Sequence, residues 1–270
     1  MNSILSFKIA IQTFKDNLRT TLIVTGLYAI MAVVYAGMFP SFKEVLVQLA
    51  ETGGLDPFSS FFGPAAMDMS TYVGFLYLEM YQIFIILILA IIIGFIAASM
   101  ISKEIEQKTI DLFMSNPVSR KQIIFEKFIG LVPMVLIVNF VTMLAIMATT
   151  SAIGEILDFY HLFLTHLILV PYLLSILSIG ILVSTIYDEK MRCAITMIGF
   201  VVAMYIYQTI GQMVSSFEFI KYFSLTYYTN AYSILKFGKI DIDGVIILSA
   251  FAIIVLIVSM IYFEHKDIRI

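Results

Sequence analysis

The chain has 270 residues, of which 61% are hydrophobic and only 13% are charged. A mean hydropathy of +1.00 exceeds what a soluble domain of this length needs to fill one core, so the composition indicates an integral membrane protein. The net charge of -3 and the dispersed basic residues argue against a nucleic-acid partner, and a single cysteine excludes an internal disulfide.

The first 19 residues predict an amphipathic interfacial helix, over 1–19, that lies along the membrane surface as a separate element. Apolar residues recur at spacings of three and four, beside a polar stripe about 90° away that includes Lys8, Lys15 and Arg19. The alternative interpretation is that these residues are a continuous extension of the first spanning helix.

Six apolar runs are long enough to cross a bilayer, since a helix needs roughly 20 residues to span about 30 Å of hydrocarbon. They lie at 20–39, 76–101, 128–150, 161–186, 194–214 and 245–263. The predicted fold class is therefore an all-α integral membrane protein with six transmembrane helices in one domain over 1–270. Residues 215–244, which are too aromatic for a solvated loop and too interrupted for a span, predict short re-entrant helices at the outer interface.

The distribution of Lys and Arg predicts the orientation. Twelve of the 16 lie on the side of the membrane that holds both termini, and four lie on the other side. By the positive-inside rule, both termini are cytoplasmic and the chain is a multi-pass protein of the cell membrane. Because the chain has no Trp, Tyr residues near the ends of the runs, among them Tyr72, Tyr77 and Tyr81, are expected to form the interfacial aromatic belt.

Residues 102–127 hold nine charged side chains between two runs that are almost free of charge. Their pattern predicts a helix, a sharp turn at Pro117 and a second helix that Ser119 and Gln122 begin as a capping box. From the residues alone, the segment is equally well an amphipathic connector whose charges face water or a docking element for a partner.

This segment resembles the first cytoplasmic loop of ABC-2 type permeases, the membrane subunits of a class of ATP-driven exporters. That loop carries an acidic pair, a Gly-Thr, an acidic-leucine run, a Pro, a Ser-Arg and a final Gly-Lys. The matching residues here are Glu104, Glu106, Thr109, Asp111, Leu112, Pro117, Ser119, Arg120 and Lys127. Lys108 and Glu126 stand where the family usually has Gly. The order of elements along the rest of the chain is similar to the family as well.

The resemblance implies that residues 102–127 are a coupling loop that docks on a separate ABC ATPase. The expected coupling residues are Glu104, Glu106, Thr109, Asp111, Leu112, Phe113, Pro117, Ser119 and Arg120. Their acidic members are expected to face basic groups or helix N-termini of that partner. For Arg120 and Lys127, the alternative is pairing with lipid phosphates or with the segment's own acidic residues.

No nucleotide site is expected in this chain, because it has no G-x-x-x-x-G-K-[ST] loop to hold phosphates. The chain is therefore not expected to be an enzyme or to bind a cofactor, and ATP and Mg²⁺ are expected on the ATPase. Six spans are half of what such exporters usually assemble. The resemblance thus implies two ATPase copies and a second permease subunit, identical or homologous, surrounded by membrane lipids.

Polar residues inside the runs are few, and the candidate translocation path consists of Asn139, His166, Gln208 and Gln212. So few polar groups replace an ion's hydration shell poorly, which favours a hydrophobic or amphipathic cargo such as a lipid, peptide or drug. Extrusion of sodium or another ion by the same type of complex is the alternative. From another class, an intramembrane hydrolase is a weaker alternative, because His161 and His166 do not form an H-E-x-x-H pattern.

Overall fold

The computed structural model describes residues 7–55, 59, 62–108 and 118–266 of the chain. All regular elements among these residues are helical, and six helices are long and apolar enough to cross a membrane. The six are α1 (Lys8–Glu51), α2 (Tyr72–Glu106), α3 (Arg120–Ile153), α4 (Phe159–Ile186), α5 (Lys190–Met213) and α7 (Ile242–His265), with a short helix α6 (Ala231–Phe237) before the last. Each predicted run corresponds to one of these helices, which confirms the all-α fold class with six spans.

Helix α1 is longer than a membrane span requires. Its 44 residues extend over roughly 66 Å at about 1.5 Å per residue, which is about twice the hydrocarbon thickness. Residues 8–19 form its first turns, and residues 1–6 lie outside the described residues. The prediction of a separate helix over 1–19 is therefore wrong, and the alternative, a continuous extension of the first spanning helix, is correct for residues 8–19. The physical reason is packing on protein, since Ala10 and Thr13 are buried where α1 meets Gly130 of α3.

Helix α2 changes its backbone geometry along its length. It is α-helical over Tyr72–Leu76, π-helical over Tyr77–Leu89 and α-helical again over Ala90–Ala98, and after a turn it ends in the short helix Ser102–Glu106. The hydroxyl of Tyr28 on α1 donates to the carbonyl oxygen of Phe84 at 2.7 Å. The hydroxyl of Tyr172 on α4 donates to the carbonyl oxygen of Ile86 at 2.6 Å. These bonds hold the wider π-helical segment between α1 and α4.

Helix α4 lies at the centre of the bundle. It is the most buried of the six spanning helices. It packs against α2, α3, α5, α6 and α7. At Gly180 an added β-carbon would lie 2.5 Å from Cβ of Ala97 and 2.8 Å from the carbonyl oxygen of Gly94. These small residues bring the backbones of α2 and α4 together, as is common between membrane helices.

The aromatic segment 215–244 contains the short helices that its sequence predicts. They are the 3-10 helices Ser215–Phe223 and Tyr227–Thr229, followed by α6 (Ala231–Phe237). Their re-entrance into a membrane stays a prediction. The first pairs with α5, the second with α7 and α6 with α4, so the segment covers one end of the bundle.

The predicted aromatic belt is wrong for three tyrosines. Tyr72, Tyr77 and Tyr81 are all buried, with exposed fractions of 8% or less. This end of α2 is enclosed by α1 and α6, so these side chains face protein instead of the membrane interface. The Tyr72 hydroxyl, for example, forms a 2.7 Å hydrogen bond with the hydroxyl of Thr150.

Candidate functional site

The charged segment 102–127 connects the end of α2 to the first turns of α3. Five of the coupling residues predicted for it lie outside the described residues: Thr109, Asp111, Leu112, Phe113 and Pro117. The structure does describe 102–108 and 118–127. It therefore shows how the segment is anchored at both of its ends.

Ser119 begins α3, as the sequence predicts. Its hydroxyl accepts a hydrogen bond from the backbone N of Gln122 at 3.2 Å, which satisfies one of the unpaired N–H groups at the start of a helix. The Gln122 side chain donates to the Glu126 carboxylate at 2.7 Å instead of reaching back to Ser119. The predicted helix start is confirmed, with one of the two bonds of a capping box.

Glu104 faces its own chain. Its carboxylate lies 2.5 Å from Nζ of Lys127, and the two side chains are only 16% and 6% exposed. Lys127 also donates to the carbonyl oxygen of Met100 at 3.2 Å. The expectation that Glu104 faces basic groups of a partner is thus corrected, because its ammonium partner is the internal Lys127, in agreement with the alternative for that lysine. The ion pair joins the end of α2 to the first turns of α3.

Glu106 ties the same end of α2 to α5. Its Oε2 accepts a hydrogen bond from the backbone N of Lys190, the first residue of α5, at 3.1 Å. A carboxylate is stabilised there, because the first N–H groups of a helix lack partners within it and the helix dipole is positive at this end. Glu106 remains exposed to solvent while it makes this contact.

Arg120 and Lys266 bind carbonyl groups at the C-terminal ends of helices. Nη1 of Arg120 donates to the carbonyl oxygen of Lys266 at 2.5 Å, just after α7. Nζ of Lys266 donates to the carbonyl oxygen of Thr185 in the last turn of α4 at 2.7 Å, and to Asp188 at 2.6 Å. Cations are favoured at helix C-termini because the last carbonyl groups carry partial negative charge. The start of α3 is therefore connected through the end of α7 to the end of α4.

Two further contacts complete a set that reaches every spanning helix. Oε2 of Glu126 on α3 accepts from the backbone N of Ile9 at 2.9 Å, in the first turn of α1. Oγ of Ser184 on α4 accepts from the backbone N of Ile101 at 2.8 Å, in α2. We call this set the helix-end network, and its members are Glu104, Glu106, Arg120, Glu126, Lys127, Ser184 and Lys266.

Sequence reasoning missed three members of this network as site residues, namely Glu126, Ser184 and Lys266. Ser184 and Lys266 carry no sequence signal, because a serine inside a span and a lysine after one are common in membrane proteins. Glu126 does carry one, since a carboxylate at the edge of an apolar run needs a partner if it is buried. What the sequence does not contain is the identity of that partner.

Asn139 and His166 bind each other in the middle of the bundle. The Asn139 amide donates to the His166 carbonyl oxygen at 2.8 Å, and Oδ1 of Asn139 lies 2.9 Å from Nδ1 of His166. The Tyr81 hydroxyl lies 2.9 Å from Nε2 of the same histidine. All three side chains are at most 1% exposed. The structure therefore places them as packing contacts among α2, α3 and α4, and their part in a translocation path stays a prediction.

Gln208 and Gln212 line a cavity of about 220 Å³ at the end of the bundle opposite the helix-end network. We call it the outer cavity, following the predicted orientation, and its polar lining residues are Gln208, Gln212, Thr226, Thr229, Asn230 and Asp241. The rings of Tyr77 and Tyr232 lie on its wall with their centroids 5.3 Å apart. The Thr226 hydroxyl donates to the Gln208 side-chain oxygen. The structure thus brings Gln208 and Gln212 together at one site.

Charges near the outer cavity are mostly paired. Lys236 pairs with Asp68, beside the cavity. Lys221 lies 2.6 Å from Glu218, and this hydrogen bond raises the pKa of Lys221 and lowers the pKa of Glu218. Among the described residues that line the cavity, Asp241 has the carboxylate side chain, and it is exposed. This carboxylate also caps the start of α7, where it accepts a hydrogen bond from the backbone N of Gly244. The cavity wall therefore carries a negative charge.

Comparison with known protein families identifies the family of this chain. The model of a family described as ABC-2 family transporter protein matches residues 7–268, which include all six spanning helices and segment 102–127. No curated protein matches the chain.

Proposed function

The chain belongs to the ABC-2 family of transporter proteins and is a membrane transport subunit; we propose that it is the permease of an ATP-driven exporter. Membership of the family implies association with an ABC ATPase. In the complex we propose, two copies of that ATPase bind ATP and Mg²⁺, and a second permease subunit, identical or homologous, completes the path. Both termini and segment 102–127 lie in the cytoplasm, on the side of the ATPase.

The helix-end network is the observation that supports coupling through segment 102–127. Side chains at both ends of this segment reach, directly or through Lys266, the ends of the other spanning helices. A displacement of the segment by a bound ATPase would therefore reach the helices through hydrogen bonds and ion pairs. Glu104 and Glu106 have an internal role in this proposal, and Asp111, Leu112 and Phe113 supply the contact with the ATPase.

The outer cavity supports an amphipathic cargo. Its amide, hydroxyl and carboxylate groups suit the polar head group of such a molecule, and an apolar tail would stay against the exposed apolar residues of the helices. The carboxylate of Asp241 favours a neutral or cationic head group over an anionic one. A lipid, a peptide or a drug meets this description.

Co-purification tests the assembly. We expect the chain to purify as a dimer with an ABC ATPase bound, and to hydrolyse no ATP alone. Phe113→Ala and Asp111→Lys should reduce the amount of bound ATPase. Lys239→Ala should not, because Lys239 is predicted to lie on the other side of the membrane. Full binding by both loop variants would show that segment 102–127 is a solvated connector. A permease that transports without any ATPase would overturn the proposal.

Cargo is tested by measuring ATP hydrolysis of the complex in lipid nanodiscs with added lipids, peptides, amphipathic drugs or sodium chloride. Stimulation by an amphipathic compound is the expected result. Stimulation by sodium alone would replace the proposed cargo with an ion.

A further inference from the structure

Glu126 is a buried carboxylate in the first turns of α3, with an exposed fraction of 1%. A buried charge is stable only when hydrogen bonds or an opposite charge compensate it. Its Oε2 accepts from the backbone N of Ile9 at 2.9 Å and of Ala10 at 3.3 Å, and its Oε1 accepts from the Gln122 side chain at 2.7 Å. The carboxylate is therefore held by three donors, two of which belong to α1.

The first turn of α1 depends on this contact. N–H groups in the first turn of a helix have no partner within the helix, and Phe7, which precedes α1, supplies no side-chain cap. Glu126 takes the place of that cap from a position 117 residues away. Because the helix dipole is positive at this end, a carboxylate is the favoured side chain.

One turn further along α3, the two backbones are in direct contact. An added β-carbon at Gly130 would lie 2.6 Å from the Ala10 carbonyl oxygen and 2.7 Å from Cβ of Thr13. Residues 126 and 130 share one face of α3, since side chains four apart are neighbours on a helix. The start of α1 is thus fixed to α3 at two successive turns.

Lys127, the next residue, holds α2 through Glu104. Adjacent residues at the end of segment 102–127 therefore bind different helices, because Glu126 binds α1 and Lys127 binds α2. Removing the Glu126 carboxylate would uncap the first turn of α1, while the contact at Gly130 and the contact with α2 stay in place.

We propose that Glu126 is a positioning residue that makes the first turn of α1 follow the movement of segment 102–127. Resting on the proposed function, this inference assigns to one side chain the link between the ATPase-docking segment and the first turn of α1. Without the carboxylate, the docking segment still moves and α2 still follows, but the uncapped first turn of α1 does not.

Hydrogen–deuterium exchange on the purified full chain tests the contact. Glu126→Gln keeps the size of the side chain and removes its charge. We expect the amides of residues 8–11 to exchange roughly 10-fold faster in this variant, since a hydrogen bond to a charged group is stronger than one to a neutral group. Glu264→Gln is the matched control, because Glu264 is 43% exposed and pairs with Lys121 at the same end of the protein. Its exchange at residues 8–11 should equal that of the wild type.

The complex with the co-purified ATPase tests the transmission. In the wild type, ATP with vanadate should change exchange both at residues 102–108 and at residues 8–14. In Glu126→Gln the change at 102–108 should persist, and the change at residues 8–11, the turn that Glu126 caps, should disappear. A merely structural role would alter both regions, or neither, and would overturn the inference.

The outcomes also separate this inference from the function it rests on. If no ATPase binds, or if nucleotide changes neither region in the wild type, the proposed function fails. If both regions respond in Glu126→Gln as in the wild type, only the inference fails. Should Glu126→Gln not fold, Gln122→Ala removes one donor to the same carboxylate, and it should speed exchange at residues 8–11 by roughly threefold.

Discussion

The charged side chains at the two ends of segment 102–127 bind partners within the chain. Glu126 stands where the related loop usually has Gly, and here it caps α1. Lys108 also stands at a usual Gly position, and its φ of 55° lies in the left-handed region that Gly adopts most readily. The backbone keeps the geometry that Gly would provide, although a lysine in this conformation costs about 1 kcal/mol.

Replacing Lys127 by Met should destabilise the protein strongly. The change leaves the largely buried Glu104 carboxylate without its ammonium partner, and breaking a buried pair costs about 3 kcal/mol. Lys121→Met, which breaks a pair whose members are each 43% exposed, should change the free energy of unfolding by less than about 1 kcal/mol. Thermal unfolding of both variants in one detergent measures the difference. Equal shifts would mean that burial does not determine the strength of these pairs.

Replacing Asp241 by Asn should weaken binding of a cationic amphiphile at the outer cavity. We expect roughly a fivefold loss of affinity for a fluorescent alkyl-trimethylammonium probe in nanodiscs of neutral lipid, because an ion pair with an exposed carboxylate contributes up to about 1 kcal/mol. Asn also caps helices, so α7 should keep its start. Asp243→Asn, in the same turn but absent from the described cavity lining, should bind the probe as the wild type does. Equal losses in both variants would indicate general surface charge instead of a site.

Among the helices, close backbone contact depends on residues without large side chains. The crossing of α2 and α4 at Gly180 is the clearest example, since an added β-carbon would meet Ala97 and Gly94. Neighbouring α5 also has a glycine, Gly199, for which an added β-carbon would meet nothing within 4 Å. A side chain therefore has no room at Gly180 but does have room at Gly199.

The pair of substitutions Gly180→Ala and Gly199→Ala should shift stability in opposite directions. Gly180→Ala forces α2 and α4 apart and should destabilise the protein by about 2 kcal/mol. Gly199→Ala adds a helix-favouring methyl group in open space and should stabilise it by up to about 1 kcal/mol. The measurement is thermal unfolding in the same detergent. A Gly180→Ala variant as stable as Gly199→Ala would contradict the close approach of these helices.

For the whole molecule, the two ends of the bundle differ in how their polar groups are used. At one end, the helix-end network connects the spanning helices directly to one another. At the other end, short helices enclose the outer cavity. In the exporter that we propose, this difference would let movement enter at one end and cargo leave at the other.

Accessibility to a membrane-impermeant thiol reagent tests the orientation of these ends. A cysteine at Ser216 should react in intact cells, and one at Ser119 should react only after the cells are permeabilised. Both serines are exposed, and the native Cys193 is buried, so background labelling should be low. Labelling of Ser119 in intact cells would reverse the orientation and move the proposed ATPase contact to the wrong side.

The sequence by itself determined the six helices, their order and the start of α3 at Ser119. These features depend on local properties, namely apolar length and a cap within three residues, so a single stretch of chain contains the information. The structure places Gln208 and Gln212 in one cavity, and their predicted part in a translocation path stays a prediction.

Only the tertiary structure decided which groups the charges of segment 102–127 face. The partners of Glu106, Glu126 and Arg120 lie 84, 117 and 146 residues away, and no periodicity specifies a pairing at such distances. Packing between helices also made residues 8–19 part of α1 and buried Tyr81 against His166. A buried carboxylate or hydroxyl must be paired, but the partner is determined by which helices pack together.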